Sequence, residues 1–315
     1  MTRALNNTRR RKAPLAPHVA ELLTMLTYRR PAGSDTERDF IARYLTPLGT
    51  QPDEVGNHWL TVGTGSPILW SCHTDTVHRE DGMQRVLYGA GVATVKGSNC
   101  LGADCTVGVW LMINMIRAGV PGTYVFHRAE EIGGRGSAYI AGNTPARLDG
   151  LLYAIAFDRK GYDEIITHQA GGRCASNAFA ASLAGILSPL RLRASDGGTF
   201  TDTANYTHLI PECTNLSVGY MHQHTPQETQ SIPYALDLLD LLIRADFSTL
   251  ACQRGTDTFE HDDDPWRRAA GPHVWGAPDL EDYVAHNPAS VAAFLADNGY
   301  SVADLEDYDD TSYRR

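Results

Sequence analysis

The chain has 315 residues, 43% hydrophobic and 20% charged, and carries a net charge of −10. This is ordinary globular composition with material for a sizeable core, and no apolar stretch approaches the roughly 20 residues that cross a bilayer. The acidic balance offers nothing to nucleic acid over the body of the chain, whereas clustered carboxylates suit cations.

In chain order, the basic start with Arg9-Arg10-Arg11-Lys12 comes first. No apolar run follows it, so it does not read as a secretory signal. Residues 1–15 are expected to be a solvated, disordered arm, although such a cluster also suits RNA or an acidic surface. Amphipathic helices are expected at residues 19–26 and 35–45, the second capped by Ser34 or Asp35. Apolar runs that read as buried strands follow at residues 68–71, 124–126, 151–157 and 215–218. Helices fall between and after them, the clearest at residues 106–117, with another at 234–245. The longest apolar run, residues 107–116, is broken by Asn114. Strands alternating with helices predict an α/β fold, a mostly parallel central sheet flanked by helices. Residues 16–250 form the expected catalytic domain. Residues 251–315 are expected to be an acidic linker, rich in Pro and Gly, and a small appendage with short helices at 280–285, 288–298 and 301–306. The six cysteines, Cys72, Cys100, Cys105, Cys174, Cys213 and Cys252, contain no Cys-x-x-Cys pair. They read as reduced thiols of a cytoplasmic protein, not as a disulfide frame or a cysteine zinc site.

Chemistry-bearing residues follow the strands. Cys72-His73-Thr74-Asp75 comes after the first, Glu130-Glu131-Ile132-Gly133-Gly134 after the second, Asp158 after the third, and His222-Gln223-His224-Thr225-Pro226-Gln227-Glu228 after the fourth. Leu101-Gly102-Ala103-Asp104-Cys105 lies just ahead of the helix at 106–117. In a parallel α/β sheet ligands bind at the carboxyl ends of the strands, and the start of a helix packed on the sheet faces the same edge. A metal site is therefore expected there. Imidazole nitrogen and carboxylate oxygen are the usual non-thiolate zinc ligands, and two metals roughly 3.5–4 Å apart are served by a bridging carboxylate, for which Asp104 is the candidate. The adjacent Glu130 and Glu131 point in different directions, so one can hold metal while the other shuttles a proton.

Each segment alone has a plainer explanation. His73 and Asp75 alone are a surface strand end, Glu130-Glu131 a solvated acidic pair, and Asp104 or Asp158 a helix cap or turn residue. His222 and His208 rival His224, which is preferred for the Thr-Pro-x-Glu that follows it. His78, His127 and His168 are given no role, and Arg173 reads as a surface arginine with a possible hold on a substrate carboxylate. It is the recurrence of metal-binding residue types at five separate places that outweighs these readings.

Taken together, His73-Thr74-Asp75, Leu101-Gly102-Ala103-Asp104, Glu130-Glu131-Ile132-Gly133, Asp158 and His224-Thr225-Pro226-Gln227-Glu228 resemble, in order, the motifs of the co-catalytic zinc exopeptidase superfamily. That superfamily holds aminopeptidases, carboxypeptidases, peptidase T-like tripeptidases and related amide deacylases. The resemblance spans about residues 73–228. It implies that His73 and Asp158 hold one metal, Glu131 and His224 the other, and Asp104 both. It also implies that Asp75 fixes the His73 ring, that Glu130 is general base and then acid, and that the Asp104–Cys105 peptide is cis. Two departures stand out. Cys105 occupies a position that is often acidic, and only about 65 residues separate Asp158 from His224, too few for an inserted dimerisation domain. Gly197-Gly198-Thr199 with Asp202 loosely resembles a glycine-rich loop of the aminopeptidase branches. The function implied is hydrolysis of a peptide or amide bond by an aminopeptidase or small-peptide hydrolase with two divalent ions, zinc first. Its substrate is a peptide or an acylated amino acid, with no membrane or nucleic-acid partner and with oligomers left open. The alternatives are an N-acyl amino acid deacylase and a non-catalytic binding protein on the same scaffold.

Overall fold

A computed structural model of the chain describes residues 15–256, together with Val284, Pro288, Val291, Ala292 and Leu295. Those five aside, the expected basic arm to residue 14, the acidic stretch and the tail helices lie outside the described residues.

Eight strands form the main sheet: β1 Gln51–Pro52, β2 His58–Val62, β3 Ile68–His73, β4 Gly122–His127, β5 Tyr153–Arg159, β6 Glu164–Ile166, β7 Arg193–Ser195 and β8 Glu212–Ser217. Their spatial order is β7-β6-β8-β5-β3-β4-β2-β1. The central strands β8, β5, β3 and β4 run parallel. β6 and β2 are antiparallel to their inner neighbours β8 and β4. The expected mostly parallel sheet thus occupies the centre, with antiparallel margins that the sequence did not announce.

Within residues 15–256 the α-helices are α1 Pro17–Met25, α2 Asp35–Tyr44, α3 Ala103–Ala118, α4 Arg135–Asn143, α5 Asn177–Ile186 and α6 Ile232–Arg244. Their ends follow ordinary capping chemistry. The Ser34 and Ser176 hydroxyls accept from the Glu37 and Phe179 amides at 3.1 and 3.0 Å. Gly119, left-handed at φ 78, closes α3 with its amide on the Met115 and Ile116 carbonyls. α3 lies over β3 and β5, and α1 and α6 pack on it. Its approach to the sheet is close at Gly108, where a Cβ would stand 2.3 Å from the Phe157 carbonyl oxygen. The other side of β3 is covered too. Ser71, which alternates with Cys72 along the strand, points to His127 at 3.3 Å, and the 3-10 helix Asp202–Tyr206 packs against β3, β5 and β8.

A second, antiparallel sheet joins Tyr220–Met221, Thr229–Ser231, Val92–Val95 and Val86–Gly89 in that order. The loop between its first two strands carries residues 222–228 over the carboxyl ends of the main sheet. The domain does not stop at the expected residue 250. Gln253 and Arg254 amides donate to the buried Glu212 carboxylate at 2.8 and 3.0 Å, and the Arg254 guanidinium donates to the Thr207 and Pro211 carbonyls. Among the described residues no helix is long and apolar enough to cross a membrane.

Candidate metal centre

His73 is the last residue of β3, and the turn after it is held by groups from far away. The Thr74 amide donates to the His127 carbonyl at 2.9 Å. Its hydroxyl donates to Glu37 at 2.6 Å, and its carbonyl accepts from the Arg30 guanidinium at 2.8 Å. Arg30 is fully buried, lies 3.8 Å over the Phe40 ring and also donates to the Thr106 hydroxyl. Asp75 is buried; its main-chain carbonyl stands 3.1 Å and its Oδ1 3.4 Å from His73 Nδ1, and its two carboxylate oxygens accept the Glu130 and Glu131 amides at 3.1 Å each. One residue therefore aligns the imidazole, chiefly through its carbonyl, and the adjacent glutamates through its carboxylate.

Asp158 is the penultimate residue of β5, inside the strand rather than after it. Asn215 of β8 grips it by both main-chain groups, at 2.9 Å each, and the Tyr220 hydroxyl donates to its carbonyl at 2.9 Å. Its Oδ2 accepts from the Thr201 hydroxyl at 2.7 Å. Asp104 lies at the irregular start of α3, where it and Cys105 depart from helical geometry and the bond between them is cis. His224 sits in the 222–228 loop with φ 63, in the left-handed region that a histidine rarely adopts.

These side chains meet. His73 Nε2 is 3.1 Å from Asp104 Oδ1 and 3.4 Å from Asp158 Oδ1. His224 Nε2 is 3.2 Å from Asp104 Oδ2 and 3.2 Å from Glu131 Oε2. Asp104 thus presents one oxygen to each imidazole. Donors bound to one zinc at roughly 2.0–2.2 Å and tetrahedral angles stand about 3.3–3.6 Å apart, close to the spacing of these pairs. Glu131 Oε1 and His224 Nδ1 are buried without a hydrogen-bond partner among the described residues, and such atoms are costly unless something meets them. On both counts the donor set fits divalent cations.

The electrostatics agree. Burial and then the Asp104 carboxylate push Asp158 up to about 7, and burial, with Asp158 and Glu131, pushes Glu130 well above the glutamate range. Burial disfavours a charged His224, yet Glu131 and Asp104 raise it to about 12. Asp104 is held well below the carboxylate range, against burial, by hydrogen bonds and charge from His224 and His73. So many buried acids around two imidazoles call for positive charge, which a bound cation supplies in place of protons.

The remaining histidines lie elsewhere. His222 and His208 are exposed. His78 is buried against the Thr76 hydroxyl, Gln84 and the Cys100 carbonyl, and burial lowers its pKa to about 4. His127 is buried beside Tyr206 and Asp202, lowered to about 3. His168 and Arg173 line a separate groove, so Arg173 is not in the cleft. The Cys105 sulfur lies within 4.8 Å of His73 and Asp158 donor atoms, but it donates to the Phe157 carbonyl at 3.2 Å and burial pushes its pKa well up, so it packs as a thiol under the cluster. Gly198 and Thr199 line the cleft together with Glu130, Gln223 and Tyr220. A Cβ at Gly198 would stand 2.2 Å from the His168 carbonyl oxygen, which accounts for the glycine. The supporting residues Arg30, Glu37, Asn215, Thr201 and Tyr220 were not singled out from the sequence, because no local pattern marks them.

The fold is that of α/β structures with a mixed, centrally parallel sheet flanked by helices. Particular solved structures with this fold are the aminopeptidase PepT of Bacillus cereus (14% identity over 72% of this chain and 96% of that one, TM-score 0.58), a tripeptidase of Staphylococcus aureus (14%, 72% and 96%, 0.58) and the TET1 peptidase of Pyrococcus horikoshii (15%, 72% and 98%, 0.57). The sequence matches no protein-family model and no curated protein. At these identities the likeness is one of fold.

Proposed function

We propose that this protein is a metal-dependent hydrolase of peptide or amide bonds, acting as an aminopeptidase or small-peptide hydrolase with two divalent ions. The observation that carries the reading is the Asp104 carboxylate, with one oxygen 3.1 Å from His73 and the other 3.2 Å from His224. In this reading His73 and Asp158 hold one ion, Glu131 and His224 the second, and Asp104 both. The mixed nitrogen and oxygen donors favour zinc. When bound, the ions lower the pKa of water and polarise the scissile carbonyl. Glu130 lines the cleft without joining these donor pairs, so it is placed to take the proton of the attacking water and return it to the leaving amine. Asp75 keeps His73 and the Glu130 main chain in register. The names of the structural neighbours, aminopeptidase and tripeptidase, support the same substrate class. The cysteines, free in every case, suit a reducing cytoplasm.

The test is a panel of aminoacyl and N-acyl substrates, assayed with and without chelator. Cleavage of the aminoacyl series, abolished by chelator and restored by zinc, is the expected result. Cleavage of the N-acyl series alone would make the protein a deacylase. Metal binding with no hydrolysis of either would make it a binding protein on this scaffold.

A further inference from the structure

We propose that Glu228 is a positioning residue that sets the spacing between the two metal positions, an inference that rests on the two-ion reading above. Glu228 is 1% exposed and carries no role in that chemistry. Its Oε2 accepts the amides of Leu101 and Gly102 at 2.8 and 2.9 Å, and its Oε1 those of Ala103 and Asp104 at 2.8 and 3.1 Å. Four consecutive amides converging on one carboxylate form an anion nest, and such convergence needs unusual backbone. Gly102 supplies it with φ +71, at a point where a Cβ would stand 2.7 Å from the His78 ring.

The other end of Glu228 belongs to the second metal position. Its own amide donates to the Thr225 carbonyl at 3.0 Å, and the Thr225 hydroxyl donates to the His222 carbonyl at 2.7 Å. These bonds close the loop that holds His224 in its left-handed conformation. Glu228 is therefore the tie between the segment of Asp104 and the loop of His224, two places 120 residues apart in sequence. Its carboxylate bonds the first segment and its main-chain amide bonds the second. Loosening it lets Asp104 Oδ2 and His224 Nε2 drift from their 3.2 Å separation, while His73 and Asp158, fixed by the main sheet, keep theirs. The ion on the His224 side, and the bridge, should suffer first.

The discriminating variant is Glu228→Gln, which keeps the shape but turns an amide group toward two of the four N–H donors. Zinc titration by calorimetry and electron paramagnetic resonance of the Mn2+-loaded protein are the readouts. Wild type should bind two ions and show exchange coupling between bridged Mn2+ ions. The variant should bind the first ion normally, bind the second roughly 10–100-fold more weakly, the usual scale for groups that orient ligands, and lose the coupling. A merely structural glutamate would lower the melting temperature and leave both readouts unchanged, which would overturn the inference. If Glu228→Gln does not fold, Glu228→Asp serves instead; it keeps the charge but shortens the tie, and unchanged coupling there would equally overturn it. A wild type that binds fewer than two ions would refute the two-ion reading itself, which the same titration shows separately.

Discussion

Glu130 and Glu131 are neighbours in sequence with different surroundings. Both line the cleft, but Glu131 Oε2 is 3.2 Å from His224, whereas Glu130 stands outside the donor pairs. Replacing Glu130 with Gln should leave two ions bound while kcat falls by roughly 10²-fold or more, the scale of general acid–base catalysis. Glu131→Gln should instead lower the metal content. Equal metal loss in both, by elemental analysis, would reverse the division of roles. His78 and His127 allow a different test, of stability. Both are buried neutral, with pKa lowered to about 4 and about 3, against roughly 6.5 in an unfolded chain. The unfolded state binds more protons below about pH 6.5, so stability should fall as pH drops through that value and keep falling to about 4 for His78 and about 3 for His127. The limiting slope is about 1.4 kcal/mol per pH unit for each histidine. Urea midpoints of His78→Gln should decline less steeply than wild type between pH 6.5 and 4; parallel curves would remove His78 from the account.

At the level of elements, the closeness of α3 to the sheet matters most, because α3 begins at the Asp104 segment and β5 carries Asp158 beside its last residue. An alanine at Gly108 would drive a methyl to 2.3 Å from the Phe157 carbonyl oxygen. We expect Gly108→Ala to cost roughly 1–3 kcal/mol and to weaken metal binding by displacing the two aspartates. Gly142 in α4, where nothing lies within 4 Å of a Cβ, is the control, and alanine there should stabilise by about 0.5–1 kcal/mol. Melting temperatures and metal counts check both. The elements that bear the cluster were legible because each combines a fully apolar run with an abrupt His, Asp or Glu at its end. β3, with six buried residues ending in His73, is the plainest instance. α4 was missed because Gly133-Gly134 before it and its Gly/Ala-rich sequence look like loop. β6 and β7 are three residues each, too short for a period to show. The helix read at 106–117 starts after the irregular Ala103–Cys105 turn, so the sequence pattern followed true helical geometry better than the continuous α3 suggests. Asn215, Tyr220 and Glu228 act on main-chain groups brought from distant segments, and no spacing in the sequence records that.

For the whole molecule, the open boundary is the one near residue 250. Cutting after Leu250 would remove the Gln253 and Arg254 amides from the buried Glu212 carboxylate and leave it the Ser176 amide and hydroxyl alone, and a hydrogen bond to a charged group contributes roughly 1.5–3 kcal/mol. We therefore expect truncation after Leu250 to lower the melting temperature markedly, and truncation after Thr256 to leave a folded, metal-binding core. Similar melting of the two would show that the contacts of residues 251–254 carry little. The scattering of the donors has another consequence. His73, Asp104, Glu131, Asp158 and His224 enter the sequence one at a time, and the loop bearing His224 is tied down by Glu228. During synthesis from the amino end, His73, Asp104, Glu131 and Asp158 all precede His224, so the last loop alone completes the set. In the two-ion reading proposed above, loading of the second ion therefore awaits the loop of His224, so a shortage of metal would act on chains that already carry that loop.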